Sequence, residues 1–206
     1  MVGFAKANTK IGFGQVEPNH ISGNVDGSVY AQYPANTAKM GTILEQGRFA
    51  KYDGAASDGK GGFVNEVNLT GAGAWMMIYN EEKLPDPRKQ NHKDFALKAV
   101  DYTDNEITPR LIEINVGDIF TTNTIIAEPY ENEAAMLKAV NALTDSAENA
   151  FPTVAIGATL KIDSASGYLC VTGGDSNEEF TVIKPFAGNA ADMPDGQPAV
   201  KLMRTK

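Results

Sequence analysis

NVGDIFTTNT, residues Asn115 to Thr124, reads as the end of one strand, a Gly-Asp corner, and a second segment rich in Thr and Asn. Glycine at such a corner supplies a positive φ or a sharp bend, and the adjoining Asp can bond neighbouring main chain, so no reaction is needed to explain either. Just upstream, in PRLIEINVGDIF, Ile112, Ile114 and Val116 share one face by the period of two. Short strands joined by glycine corners are the material of small barrels and sandwiches. The expected fold is therefore mainly β, with a small β-barrel or β-sandwich body.

Two further stretches carry the same signal. MGTILEQGRFAKYDG and IGATLKIDSASGYLCVTGG each open a strand with a Gly, turn it at a second Gly, and begin the return with an aromatic residue. The glycine pairs are Gly41 and Gly47 in the first and Gly157 and Gly167 in the second, and VGDIFTTNT repeats the opening corner. This weak repetition hints at two similar β units.

Between these corners, Ile43 and Leu44, a turn at Gln46-Gly47 and an alternating Phe49, Lys51 segment read as a hairpin. DGAASDGKGG has the composition of a surface loop. Strands are expected over Phe63 to Leu69 and Ala74 to Asn80, and the run Trp75 to Tyr79 is apolar on both faces, which predicts burial. FALKAVDY, the segments following Pro152, and the closing AVKLMR add further strands, with turns at Ser164 to Gly167 and Gly173 to Asn177. One helix is expected, over about residues 131–146: in the stretch from Glu131 to Ala150, Met136, Val140 and Leu143 are spaced for one face and acidic residues stand at its start.

Residues 1–38 are rich in Gly, Asn, Ser, Thr and Pro with isolated apolar residues, a pattern that closes no core of its own. A disordered tail is one reading. An extended N-terminal arm that lies on a neighbouring subunit is the favoured one, because a merely solvating tail has no need of spaced aromatics. The body then spans residues 39–206, which can be divided into two similar β subdomains, 39–104 and 105–206.

The 206 residues carry Lys+Arg 18 against Asp+Glu 26, a net charge of −8, which disfavours nucleic acid as a direct partner. A single cysteine, Cys170, rules out an intrachain disulfide and a thiolate-rich metal site. The first residues lack the apolar stretch of a signal peptide, and no run approaches the about 18 apolar residues of a membrane span, so a soluble, unsecreted chain is expected.

No catalytic, cofactor or metal residues emerge. His20 and His92 lie in the least core-like parts of the chain. Cys170 sits between Leu169 and Val171 on an expected strand with no basic neighbour to lower its pKa, as a buried structural cysteine would. GFGQVEPN and GAGAW lack the Lys-Ser/Thr of a phosphate loop and the helix of a dinucleotide fold. DGKGGFVNE and GGDSNEE lack the alternating oxygen ligands of a calcium loop. Glu81-Glu82 and Glu178-Glu179 are adjacent, and on strands would point to opposite faces. The one basic cluster, Arg88, Lys89, His92 and Lys93 in LPDPRKQNHKD, is either a solvated connector or a loop that docks on an acidic partner.

Four phrases, AKANTKIGFGQVEPNH, ILEQGRFAKYD, PRLIEINVGDIFTTNTI and MPDGQPAVKLMR, together resemble head-associated structural proteins of tailed bacteriophages, the small chains that decorate or cement a capsid shell. The resemblance spans about Ala5 to Arg204 and rests on phrases rather than on catalytic signatures. It implies a non-enzymatic virion protein in many copies, made in the host bacterial cytoplasm and carried on the capsid surface. Its implied partners are the major capsid protein and neighbouring copies, with no small-molecule substrate, no cofactor and no membrane. The expected helix departs from a minimal decoration barrel. In this setting Phe4, Phe13 and Tyr33 are candidate arm anchors, with Arg88 and Lys89 as further partner-binding candidates, although Tyr33 packing on its own body is an equal reading. The alternative function is a host-surface or carbohydrate-binding β module, which would present exposed aromatics along a groove. An enzyme without a recognisable motif is the third class.

Overall fold

In the computed structural model, residues 16–22, 30–32, 46–57, 63–79, 110–129, 131, 152–186 and 198–206 are described. They form β1 (Val16–His20), β2 (Tyr30–Gln32), β3 (Phe49–Ser57), β4 (Phe63–Asn68), β5 (Met76–Ile78), β6 (Arg110–Glu113), β7 (Ile119–Thr122), β8 (Ile125–Ile126), β9 (Thr159–Ile162), β10 (Leu169–Cys170), β11 (Glu179–Phe186) and β12 (Ala199–Arg204). Seven strands make one sheet in the order β1-β7-β12-β11-β9-β10-β8, and five make the other in the order β2-β6-β5-β3-β4. Every neighbouring pair is antiparallel except β8 with β10.

The protein is thus mainly β, with two sheets. A closed barrel, one of the two expected bodies, is not formed, because neither strand order returns to its first member among the described residues. One buried apolar cluster draws on both sheets. At its centre Phe49 of β3 stands 5.3 Å from Phe180 of β11, and Phe180 meets Phe120 of β7 edge-on at 5.9 Å. Offset and edge contacts of this kind are the preferred aromatic geometries and add to the area each ring buries. Trp75 to Tyr79 are all buried, as their two-sided apolar run requires.

Several expectations shift. The strand through Ile112 and Ile114 ends before Val116, which lies in a turn and is exposed. Residues Asp53 to Ser57, read as loop from composition, belong to β3, which pairs with β4 across an irregularity between Asp53 and Ala56. Ladder pairing with a neighbour and a bulge to absorb the small residues override local propensity there. Within 1–38, the described residues 16–22 and 30–32 supply β1 and β2, which pair with β7 and β6. The rest of that segment, and the helix expected over 131–146 apart from the exposed Glu131, lie outside the described residues. No helix is found among the described residues.

Three glycine corners share one geometry. Gly47, Gly117 and Gly157 have φ of 84°, 95° and 82° and directly precede β3, β7 and β9. At each, the glycine N–H donates to a carbonyl on the facing strand, and that residue's N–H donates back to the carbonyl after the glycine. Gly47 and Arg48 bracket Ile78 at 2.9 and 2.8 Å, Gly117 and Asp118 bracket Arg204 at 2.8 and 3.0 Å, and Gly157 and Ala158 bracket Val182 at 2.8 and 2.9 Å. Two residues thus oppose one, a bulge that requires a left-handed first residue and so favours glycine.

The repetition goes further than the corners. The ladder β2-β6-β5-β3-β4 has the same strand order, direction and register as β7-β12-β11-β9-β10. Residues 30–32 match 119–121, 47–52 match 157–162, 67–68 match 169–170, 76–78 match 180–182, and 111–113 match 202–204, each pairing in one sheet having its counterpart in the other. Gly47, and not Gly41, is the counterpart of Gly157. The repeat boundary falls between Glu113 and Ile119.

Candidate functional site

The most concentrated polar chemistry lies where the Gly47 corner meets the seven-stranded sheet. Arg48 is fully buried, donates from Nε to the Ser166 carbonyl at 2.6 Å, and stacks its guanidinium 5.3 Å from the centre of the Tyr168 ring. Ser166 in turn donates its hydroxyl to the Asp163 carboxylate. The Phe49 N–H donates to the Gly167 carbonyl at 2.7 Å, and Thr124 Oγ1 donates to the Gln46 carbonyl at 2.7 Å. The approach leaves no room for side chains, since a Cβ on Gly167 would overlap the Phe49 carbonyl. Arg48 and Asp163 therefore hold turns together. A buried charge is tolerated only with such partners, and here they include the Ser166 carbonyl for Arg48 and the Ser166 hydroxyl for Asp163.

A second cluster lies at the Gly117 corner. The buried Asp118 carboxylate accepts from Asn115 N at 2.7 Å, Ser22 N at 3.0 Å and Ser22 Oγ at 3.1 Å, and Asn115 Nδ2 donates to Ser22 Oγ at 2.9 Å. Ser22, just past the end of β1, is thereby clamped to the body. Arg204 closes the same end, its guanidinium donating to the Ile114 carbonyl.

A solvent-open groove of about 230 Å³ is lined by Lys51, Trp75, Ser164, Asp175, Ser176 and Glu178, among others. Its polar groups answer one another. Asp175 accepts from Ser164 N at 2.7 Å and Ser164 Oγ at 2.6 Å. Desolvation pushes the Asp175 carboxyl up, but hydrogen bonds from Ser164 and from main chain, with the charge of Lys51, outweigh it and hold the group below the usual carboxylate range. Ser176 Oγ accepts from Ile162 N at 3.0 Å and donates to the Glu178 carbonyl at 3.0 Å, and Glu178 lies 4.0 Å from Arg204. Lys51 Nζ sits 4.7 Å from the centre of the Trp75 ring, and the indole is buried. Among the described residues the groove thus offers no exposed aromatic platform on which a sugar ring could stack. In GGDSNEE the side-chain oxygens diverge, Glu179 turning to Lys161 at 3.2 Å and Lys206 at 3.6 Å, so they converge on no cation.

Cys170 lies in β10, buried, with its thiol pushed up to about 12, first by burial and then by the charges of Asp163 and Asp175. At neutral pH it is a protonated core residue and a poor nucleophile. His20 is exposed at the end of β1. Among the described residues no three His, Cys, Asp or Glu side chains group to hold a metal ion, and no helix is long and apolar enough to cross a membrane.

Phe4, Phe13, Tyr33, Arg88 and Lys89, the partner-binding candidates from the sequence, all lie outside the described residues, as does His92. What the sequence reading passed over is the set Arg48, Thr124 and Asp163, whereas Asp118, the Asp of the Gly-Asp corner, was expected to bond neighbouring main chain and does so, accepting from Asn115 N. The only signal of that set was position, Arg48 beside Gly47 and Asp163 opening the turn to Gly167, while Thr124 lies near no glycine and carried none. Comparison of the chain with family profiles, with curated proteins and with solved structures gives no match.

Proposed function

We propose that this chain is a non-enzymatic structural protein of a tailed-bacteriophage particle, which binds the major capsid protein and stabilises or decorates the shell. One observation carries the reading beyond the sequence phrases. The buried or half-buried polar side chains of the described body, Arg48, Asp118, Thr124, Asp163 and Ser176 among them, bond to turns and to the main chain of other elements. Such a body is braced at its corners, which suits a component that must keep its shape while many weak contacts add up on a symmetric lattice.

The deciding experiment is quantitative mass spectrometry of gradient-purified particles from the source lysate. A copy number comparable with that of the major shell protein is expected. Absence of the chain from particles would overturn the proposal and move attention to glycan binding.

A further inference from the structure

In the seven-stranded sheet, β7 to β12 come from residues 119–204, and the remaining strand does not. β1 precedes both repeats, yet it bypasses β2, the next strand in the chain, and pairs with β7 of the second repeat on the side that β12 leaves free. Its ladder is short and interrupted. Val16 and Glu17 face Thr122 and Thr121, His20 faces Ile119, and Pro18 and Asn19 together oppose Phe120 across a break in the register. Proline supplies no ladder donor, and a bulge leaves main chain unpaired. Side chains fasten the segment instead. Val16 and Ile21 are buried, and the Thr121 hydroxyl donates to Asn19 Oδ1 at 2.6 Å. Ser22 gives its N–H and its hydroxyl to the Asp118 carboxylate and accepts from Asn115 Nδ2.

We infer that the outer edge of β7 is a strand-acceptor site, and that residues 16–22 of a second copy of this chain take it in place of the copy's own β1. The contacts just described all lie within residues 16–22, so the same segment arriving from another chain makes every one of them. Exchange between copies then changes only the entropy of connection, which makes swapping an identical element a low-cost route to assembly. Within one chain the tether from Ser22 to β2 is residues 23–29. A short tether gives an effective concentration in the millimolar range, and copies held together at comparable density compete with it. The edge also demands a cover. Left bare, β7 would present a row of unpaired N–H and C=O groups, the kind of edge that recruits another chain, and Asp118 would lose its Ser22 donors. The inference is independent of which particle carries the chain, and its failure would leave the capsid proposal to its own test.

Two variants of the full chain, each defective in one half of the contact, provide the test. Ile21→Asp spoils the strand and leaves the β7 edge intact. Asp118→Asn turns one acceptor oxygen into a donor facing the Ser22 donors, so it spoils the edge and leaves the strand intact. In sedimentation velocity each variant alone should stay monomeric, and an equimolar mixture should form a one-to-one dimer. A mixture that stays monomeric while both variants keep the circular dichroism spectrum of the unaltered chain overturns the inference. A fluorescent peptide of residues 16–22, VEPNHIS, followed by polarisation, reads the acceptor site directly. It should bind the Ile21→Asp chain roughly tenfold or more tighter than the unaltered chain, because loss of a buried isoleucine opens the site in a larger fraction of molecules. The peptide carrying Ile21→Asp should bind neither. Where Ile21→Asp loses the fold, Ser22→Ala, which removes one bond to Asp118, is the loosened acceptor in both assays. Equal capture by the loosened and unaltered chains, or binding indifferent to the peptide's own isoleucine, places the contact elsewhere and overturns the inference.

Discussion

Replacing Gly47 and Gly157 separately by alanine isolates what the seating of a corner contributes. The two glycines have nearly the same backbone, φ of 84° and 82°, and the same pair of bulge hydrogen bonds. An L-residue held in this left-handed region costs roughly 1–2 kcal/mol, and both variants suffer that loss. At Gly157 the new methyl enters open space, so the total should stay near that figure. At Gly47 it would stand 2.7 Å from two threonine hydroxyls and 2.8 Å from the Thr124 Cβ. Relieving that overlap means moving β7 or the corner, an overpacking cost of about 1–3 kcal/mol. Gly47→Ala should therefore destabilise by about 2–5 kcal/mol, and Gly157→Ala by about 1–2 kcal/mol. Equilibrium urea unfolding at matched slopes measures both. Thermal scans should separate them by several degrees, since about 1 kcal/mol shifts the midpoint by about 2–4 °C in a chain of this size. Midpoints that agree to within about 0.5 kcal/mol, the scatter of neutral surface changes, would refute the seating of the Gly47 corner on the Thr122 and Thr124 shelf.

Two further outcomes follow from the side-chain environments. With its thiol pushed up to about 12 and its side chain buried, Cys170 should not react with a thiol reagent at pH 8 in the native protein and should react at once in denaturant, so fast native labelling would contradict its place in β10. Asp175 has a folded pKa below its unfolded one, so its stabilising effect is present above the unfolded value and is lost as pH falls through the folded one. Ser164→Ala, which removes one of the two bonds from Ser164, should lower the urea midpoint at neutral pH, and that effect should shrink as pH falls through the folded value. A gap that persists unchanged in acid would show that Ser164 acts by packing alone.

How much of this was legible depends on which forces act locally. Strands such as β5 and β12 were readable because their apolar patterns are dense, and the glycine corners because a positive φ leaves few alternatives to glycine. β1 was not readable: VEPNH has a proline and no alternation, and it is a strand because β7 provides an edge and its first residue Val16 and the following Ile21 are buried. The repeat was sensed at the wrong glycine because GRFAKY and GATLKI share only Gly and Lys, whereas the ladders that make them equivalent are main-chain bonds that no side chain records. Arg48 went unnoticed for a related reason. An arginine beside a turn reads as solvated, and only the tertiary approach of the turn from Asp163 to Tyr168 turns it into a buried brace.

The same equivalence explains which sheet is enclosed. Phe49, Met77 and Ile112 occupy one row of the first ladder and are fully buried. Their counterparts in the second ladder are Thr159, Thr181 and Met203, which are exposed or half-buried. Threonine keeps the β-branched fit to a pleated surface while removing most of the apolar area that solvent would meet. The substitution pattern therefore marks the row of the second sheet that faces outward, with its apolar content reduced to match. Against that pattern Ile156 and Ile183 are exceptions, since their region of the second repeat is open and has nonetheless kept large apolar side chains. Ile156→Thr and Ile183→Thr together should keep the urea-unfolding midpoint within about 0.5 kcal/mol, since both side chains are exposed, and a larger loss would place them against the body.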